Sequence, residues 1–181
     1  MNVRLLEIGD VDRYLQLVSE VEAGSGVGGE GHSHAYTAAD PHDPDAARER
    51  EILRWSTPIS DAGWRRAWGL FDRDELVGEL DLAGAELTSE RHRVDLGMGV
   101  RLSHRRRGGG SQLLDTAVDW ARGQPTIDWI DLSVFSDNPG AQALYLRHGF
   151  QILGRTTDRY RVDGCSLDDI PMALNVATRT T

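Results

Sequence analysis

Hydrophobic positions along the chain change their period several times, and each change predicts a new element. Val3 to Leu6 has strand character, and Asp10 is placed to cap a helix running to about Glu22, because Val11, Leu15, Val18 and Val21 recur at helical spacing. From Ala23 to roughly Pro44 the sequence AGSGVGGEGHSHAYTAADPHDP shows no period, which predicts a mobile, exposed loop. Asp45 can cap the next helix, to about Trp55. Arg65 to Phe71 and Glu75 to Leu82 are strand-like and are separated by Asp72, Arg73 and Asp74, the pattern of a hairpin. Arg91 to Leu102 alternates, with Val94, Leu96, Met98 and Val100 on one face and Asp95, Gly97 and Gly99 on the other, so glycines leave that second face open.

The second half returns to helical spacing at Leu113, Leu114, Ala117, Val118 and Ala121, a stripe that ends near Gly123. Ile130, Leu132 and Val134 alternate as a strand. Asp137 or Asn138 then starts a helix carrying Ala141, Leu144, Tyr145 and His148, which Gly149 stops. Gln151 to Val162 and Ile170 to Val176 read as a closing antiparallel pair around a turn at Asp163 and Gly164. Helices on both sides of a hairpin-containing sheet, with one βαβ-like step in the middle, make this a mixed α+β fold. With 181 residues the default is one domain over 1–181.

Charge narrows the partners. Twenty Lys and Arg against twenty-nine Asp and Glu give a net charge of −9, which repels nucleic acid and anionic lipid. Cys165 is the only cysteine, so no internal disulfide can form, and a reducing compartment suits it. The N-terminal run MNVRLLEIGDVDRYLQ acquires charges too early for a signal peptide, and no apolar run approaches the roughly 20 residues of a membrane span. The expectation is a cytoplasmic protein with neither nucleic acid nor membrane as partner.

The segment VRLSHRRRGGGSQLL, Val100 to Leu114, concentrates the candidate chemistry. A strand runs through Arg105, Arg106 and Arg107 into Gly108, Gly109 and Gly110 and then into an amphipathic helix. Glycine allows the backbone to turn its N–H groups onto phosphate oxygens, the helix N-terminus adds positive potential, and the arginines add cations. The ligand expected there carries several phosphates. A nucleotide-triphosphatase loop would need a lysine before Ser111, and a dinucleotide fingerprint would need glycine where Leu113 stands. A solvated basic turn is the remaining plain reading.

Together with a second motif the segment resembles the GCN5-related N-acetyltransferases. Arg105 to Gly110 fits that family's Arg/Gln-x-x-Gly-x-Gly/Ala signature, and SVFSDNPGAQALYLRHGFQILG matches its next motif at Asn138, Tyr145, Gly149 and Phe150. The resemblance is strong from about Leu76 to Gly154, and the closing stretch is similar to the amino-acid and ribosomal-protein acetylating branches. It implies a mixed, mostly antiparallel twisted sheet flanked by helices, with a splayed central strand pair holding acyl-CoA. It also implies acetyl-CoA as co-substrate, a primary amine of unknown identity as acceptor, and direct attack in a ternary complex. The cofactor-contacting residues it implies are Met98, Gly99, Val100, Arg105, Arg106, Arg107, Gly108, Gly109, Gly110, Ser111, Asn138 and Tyr145. Family habit leaves a homodimer open.

Asn138 and Tyr145 are seven residues apart, nearly two helical turns, so they share a face. Tyr145 is the candidate acid for the departing thiolate, with a core tyrosine as the alternative; Asn138 can serve as a helix cap as well. The base is less defined, because the glutamate of the histone-modifying branch falls nearest Val94. Asp95 is the candidate, although alternation turns it to the other face unless a β-bulge intervenes. Glu79, Asp81, His92 or water are alternatives. The loop over about 23–44 would border the acceptor, with Tyr36 as a contact. His32, His34, His42, Asp40 and Asp43 crowd that loop without a zinc spacing, so no metal is expected. Trp55, Trp64 and Trp68 read as packing or interface residues rather than substrate stackers, and Cys165 lacks a base. A non-catalytic acyl-CoA sensor and a nucleotide-binding regulator are the competing functions.

Overall fold

The computed structural model describes residues 1–37 and 43–177. Its elements run β1 (Asn2–Leu5), α1 (Val11–Ala23), α2 (Pro44–Ser56), β2 (Arg65–Asp72), β3 (Glu75–Gly84), β4 (Arg93–Val100), α3 (Gly109–Arg122), β5 (Trp129–Phe135), α4 (Pro139–Arg147), β6 (Gln151–Ile152), β7 (Thr156–Val162) and β8 (Cys165–Asn175). The strands form one sheet in the order β1-β2-β3-β4-β5-β8-β6, with β7 also on β8. Every pairing is antiparallel except β4 with β5, the two strands joined through α3. The mixed α+β expectation holds.

Alternation along β2 shows how the layers are built. Ala67 packs with Val11, Tyr14 and Leu17 of α1 and Trp55 of α2. Its neighbour Trp68 points the other way and joins Leu80, Val94, Leu113, Leu114, Ala117 and Ile130 in the cluster under α3. The apolar stripe of α3 is buried along its length, and Trp120 from that helix meets Trp64 and Trp68 edge-on at 5.9 and 5.2 Å. Trp55 packs edge-on against Tyr14 at 5.2 Å. The tryptophans read as packing residues therefore sit in two separate cores.

Several local expectations shift. Asp10 precedes α1 but its side chain caps nothing there; it accepts from Arg4 at 2.7 and 2.9 Å and from the Glu7 N–H at 3.0 Å. The cap of α2 is Asp43 rather than Asp45, because Pro44 at the first helical position moves the start forward and the Asp43 carboxylate accepts from the Asp45 and Ala46 amides. The closing pair is three strands. Asp163 (φ 49°) and Gly164 (φ 83°) do make the turn, but β8 begins directly after them at Cys165, five residues before Ile170, and residues 153–155 separate β6 from β7.

Close approach of α3 to β2 depends on Gly109, where an added Cβ would lie 2.4 Å from Leu70 Cδ2 in the middle of the core. Gly109→Ala should therefore destabilise the protein by about 1–3 kcal/mol through overpacking. A lowered urea midpoint with unchanged slope is the expected reading, and an unaltered midpoint would show that Leu70 repacks freely.

Candidate active site

Parallel pairing between β4 and β5 lasts for three residue pairs, Arg93 with Trp129, Val94 with Ile130 and Asp95 with Asp131. Beyond them β4 continues on β3 as far as Val100 opposite Gly78, while β5 continues on β8 as far as Phe135 opposite Asp169. Each strand follows its own antiparallel partner, so the two part. Met98, Gly99 and Val100 lie on the side of this opening that leads into the glycine turn.

The turn itself is shaped by left-handed residues. Arg106 has φ 59° and Gly108, the residue before α3, has φ 82°. Gln112 N–H closes the first helical bond on the Gly108 carbonyl, so the amides before it are outside the helical ladder. Among the described residues, the N–H groups of residues 106–111 have no acceptor. They surround the positive end of a 14-residue helix. The arginines divide by role. Arg105 turns inward, donating from Nε to the Val100 carbonyl and from Nη1 to Glu30, both at 2.9 Å. Arg106 and Arg107 are exposed and have no ion pair among the described residues.

From the β5 side, Asn138 caps α4 by accepting from the Ala141 amide at 3.1 Å. Its Nδ2 donates to the His32 carbonyl at 3.2 Å. Tyr145 is buried further along this helix. Gly149 (φ 89°) reverses the chain so that Phe150 stacks edge-on to the Tyr145 ring at 5.6 Å. Among the described residues, the Tyr145 hydroxyl has no hydrogen-bond partner. Its pKa is raised, first by burial and then by the charge of Glu79. A Cβ added at Gly110 would lie 3.1 Å from Leu144 and 3.8 Å from the end of Met98, so the cradle, β4 and α4 converge here.

On the α1 side, the face expected to be open is filled. Gly97 and Gly99 face Asp81 and Glu79 across the β3–β4 register, and a Cβ at either glycine would come within 2.8 Å of the opposing carboxylate. Asp81 accepts from the Tyr14 hydroxyl at 3.3 Å and lies 3.1 Å from Arg65 Nε, without the alignment of a hydrogen bond. Arg65 also donates to both oxygens of buried Glu51 at 3.1 Å. Burial opposes the Arg65 charge, but Asp81, Tyr14 and Glu51 outweigh it and leave its pKa raised. Glu79 is 6% exposed, and its Oε2 has no hydrogen-bond partner among the described residues. Burial, and next the charge of Asp81, hold its pKa well above the ordinary carboxylate range, against Arg65 and the Gly99 amide.

The remaining candidates are dispersed. The β4 register is regular, so the bulge that would bring Asp95 onto Val94's face is missing. Asp95 instead lies at the closed end of the opening, where partial burial, Asp131 and Glu90 raise its pKa despite Arg93. Arg93 is paired with Asp131 at 2.6 Å. A shallow cavity of about 310 Å³ there is lined by Asp95, Asp131, Ser133, Leu153 and Pro171. His92 is exposed in the turn before β4. His32 is buried against Asp137, and His34 contacts the Glu22 carbonyl at 2.9 Å, so this stretch of the expected mobile loop is tied down. Tyr36 is 65% exposed, whereas Asp40 and His42 lie outside the described residues. No pattern along the chain pointed to the Arg65–Glu51–Tyr14 group; the one signal for the carboxylate pair was the alternation of Gly97 and Gly99 opposite it.

A family model, that of the acetyltransferase (GNAT) family, matches residues 31–150. The chain belongs to this family. As a GNAT acetyltransferase it uses acetyl-CoA as co-substrate, and the unbonded amides at the α3 start, beside an open strand edge, suit a diphosphate and its extended arm. A GNAT-family acetyltransferase from Streptococcus pneumoniae has the same fold at a TM-score of 0.80 and 20% identity, over 96% of this chain and 98% of that one. The acetyltransferase yncA of Salmonella typhimurium, solved with acetyl-CoA, matches at 0.80 and 16% identity over 99% and 96%. Ribosomal-protein-alanine N-acetyltransferase from Brucella melitensis matches at 0.79 and 16% over 97% and 99%. No curated protein matches in sequence. Among the described residues, no helix is long and apolar enough to cross a membrane.

The raised Glu79 pKa fixes the sign of a stability effect. A carboxyl that holds its proton more tightly when folded contributes stability that is complete below its unfolded value of 4.5 and is lost as pH rises toward the folded value. Glu79→Gln should flatten the decline in urea midpoint as pH rises above that point. Parallel declines in the two proteins would remove Glu79 as a titrating group.

Proposed function

We infer that this GNAT acetyltransferase is a single domain that transfers an acetyl group from acetyl-CoA to a primary amine, of a small molecule or a protein, by direct attack in a ternary complex. One observation carries this reading: unbonded amides at the start of α3 stand at the wide end of the β4–β5 opening, with Tyr145 buried on α4 and its hydroxyl without a hydrogen-bond partner among the described residues. Bound acetyl-CoA supplies the activated thioester.

The chain supplies position and proton traffic. The N–H groups of residues 106–111, Ser111 included, hold the diphosphate, and Arg106 and Arg107 add charge from outside. Arg105 stiffens the turn through its bonds to Val100 and Glu30 rather than by facing the ligand. Met98, Gly99 and Val100 offer a strand edge to the extended arm and an amide to the thioester oxygen. Asn138 fixes the first turn of α4, and with it the height of Tyr145 in the opening. Burial keeps Tyr145 in its neutral, proton-bearing form, so its hydroxyl can donate to the leaving thiolate.

Glu79 suits the acceptor's proton better than Asp95. It faces Gly99 beside the thioester strand and its charge acts on Tyr145, whereas Asp95 is four residues away, about 13 Å along an extended strand. Burial and the Asp81 charge raise its proton affinity, the direction a proton acceptor requires. The net charge of −9 favours cationic acceptors.

Tyr145→Phe removes the donor and leaves the ring. It should lower kcat by about 10²-fold, with acetyl-CoA affinity within about twofold. Thiol release across an amine panel, with calorimetry for affinity, measures both. Equal rates would eliminate Tyr145 as the acid, and tight acetyl-CoA binding without release on any amine would replace transfer with a binding role.

A further inference from the structure

The His-rich stretch after α1 has an architecture of its own. It leaves α1 beside Gly99, where Val21 packs, and reaches the start of α4, so it crosses from the β4 side of the opening to the β5 side. At the far bank it is seated rather than draped. Gly31 lies so close to the chain that an added Cβ would stand 2.4 Å from the Asp137 carbonyl and 2.7 Å from Asn138 Cα. The His32 N–H lies 3.2 and 3.3 Å from the two oxygens of Asp137, and His32 Nδ1 is 2.6 Å from Oδ2, so that nitrogen carries the proton. The His32 carbonyl accepts from Asn138. Its ring is covered by Gly26, where φ is +70° and a Cβ would come within 2.5 Å of Nε2, and the residue is 8% exposed. At the near bank Glu30 meets Arg105 of the glycine turn.

We propose that His32 is a positioning residue for acetyl transfer: by locking residues 30–32 onto Asp137 and Asn138, it makes this segment a fixed roof over the mouth between β4 and β5. The acceptor amine then meets a preformed wall, from which exposed Tyr36 projects, instead of ordering a loop when it binds. One end of the roof rests on Arg105 and the other on the cap of α4. Burial of an imidazole in a glycine-built seat, with the N–H, carbonyl and Nδ1 of His32 all turned toward Asp137 or Asn138, goes beyond what an ordinary surface turn requires. This rests on the transfer reading above for its kinetic consequence, but not for its structural one.

Two measurements on the full chain test it separately. Hydrogen exchange should show faster exchange of the amides at residues 31–33 and in the first turn of α4 in His32→Ala, with the central strands unchanged. With an accepted amine from the panel, His32→Ala should raise the acceptor KM by about tenfold while kcat and acetyl-CoA affinity stay within about twofold, the size expected for losing a hydrogen bond to a charged group. His32→Asn places an amide N–H where Nδ1 stands and should restore most of the loss. Unchanged exchange in His32→Ala would overturn the lock. A fall in kcat with unchanged acceptor KM, or no rescue by asparagine, would overturn the positioning role. If no amine is acetylated, exchange still decides the lock while the transfer reading fails on its own.

Discussion

Three residue pairs of parallel ladder, ending at Asp95 and Asp131, set the geometry of the entire molecule. Had β4 and β5 stayed paired to their ends, their backbone groups would have satisfied one another and no ligand could enter the sheet. Instead, each strand is held firmly on its outer side, β4 by β3 and β5 by β8. The inner edges are thereby exposed without loosening the sheet. Helices α3 and α4 both begin at its wide end because each follows one of the parted strands.

Polar groups are then placed where apolar packing would have been simpler. Glu79 and Asp81 are buried in the middle of the sheet, and only the missing side chains at Gly97 and Gly99 leave space for them. Asp81 is compensated by Arg65 and Tyr14, while Glu79 keeps an unpartnered oxygen. Buried charge without full compensation is expensive, and it shows as an elevated proton affinity rather than as an unfolded strand. Such uneven compensation within a pair of carboxylates separates a structural acid from one able to exchange protons.

Rigidity around the opening comes from short-range ties between elements far apart in sequence. Arg105 joins the glycine turn to Val100 and Glu30, and Asp137 joins the start of α4 to His32. These ties leave the amides of residues 106–111 unbonded while fixing the backbone that presents them. Donors held in place before a ligand arrives lose little freedom on binding it, which favours both affinity and orientation.

Sequence periodicity alone determined the element order as far as α4, the alternation of β4, the buried stripe of α3 and the cap and stop of α4, because these depend on neighbours within one or two turns of the chain. The glycine run after Val100 and the Asn138-to-Phe150 motif were legible for the same reason: backbone angles and helix ends are local properties. Tertiary structure alone decided which carboxylates are buried together. Glu79 and Gly99 are twenty positions apart and meet only through strand register, and the seat of His32 on Asp137 spans more than a hundred. Burial and charge coupling depend on what surrounds a side chain in space, and no one-dimensional pattern records that for groups brought together by the closing of a sheet.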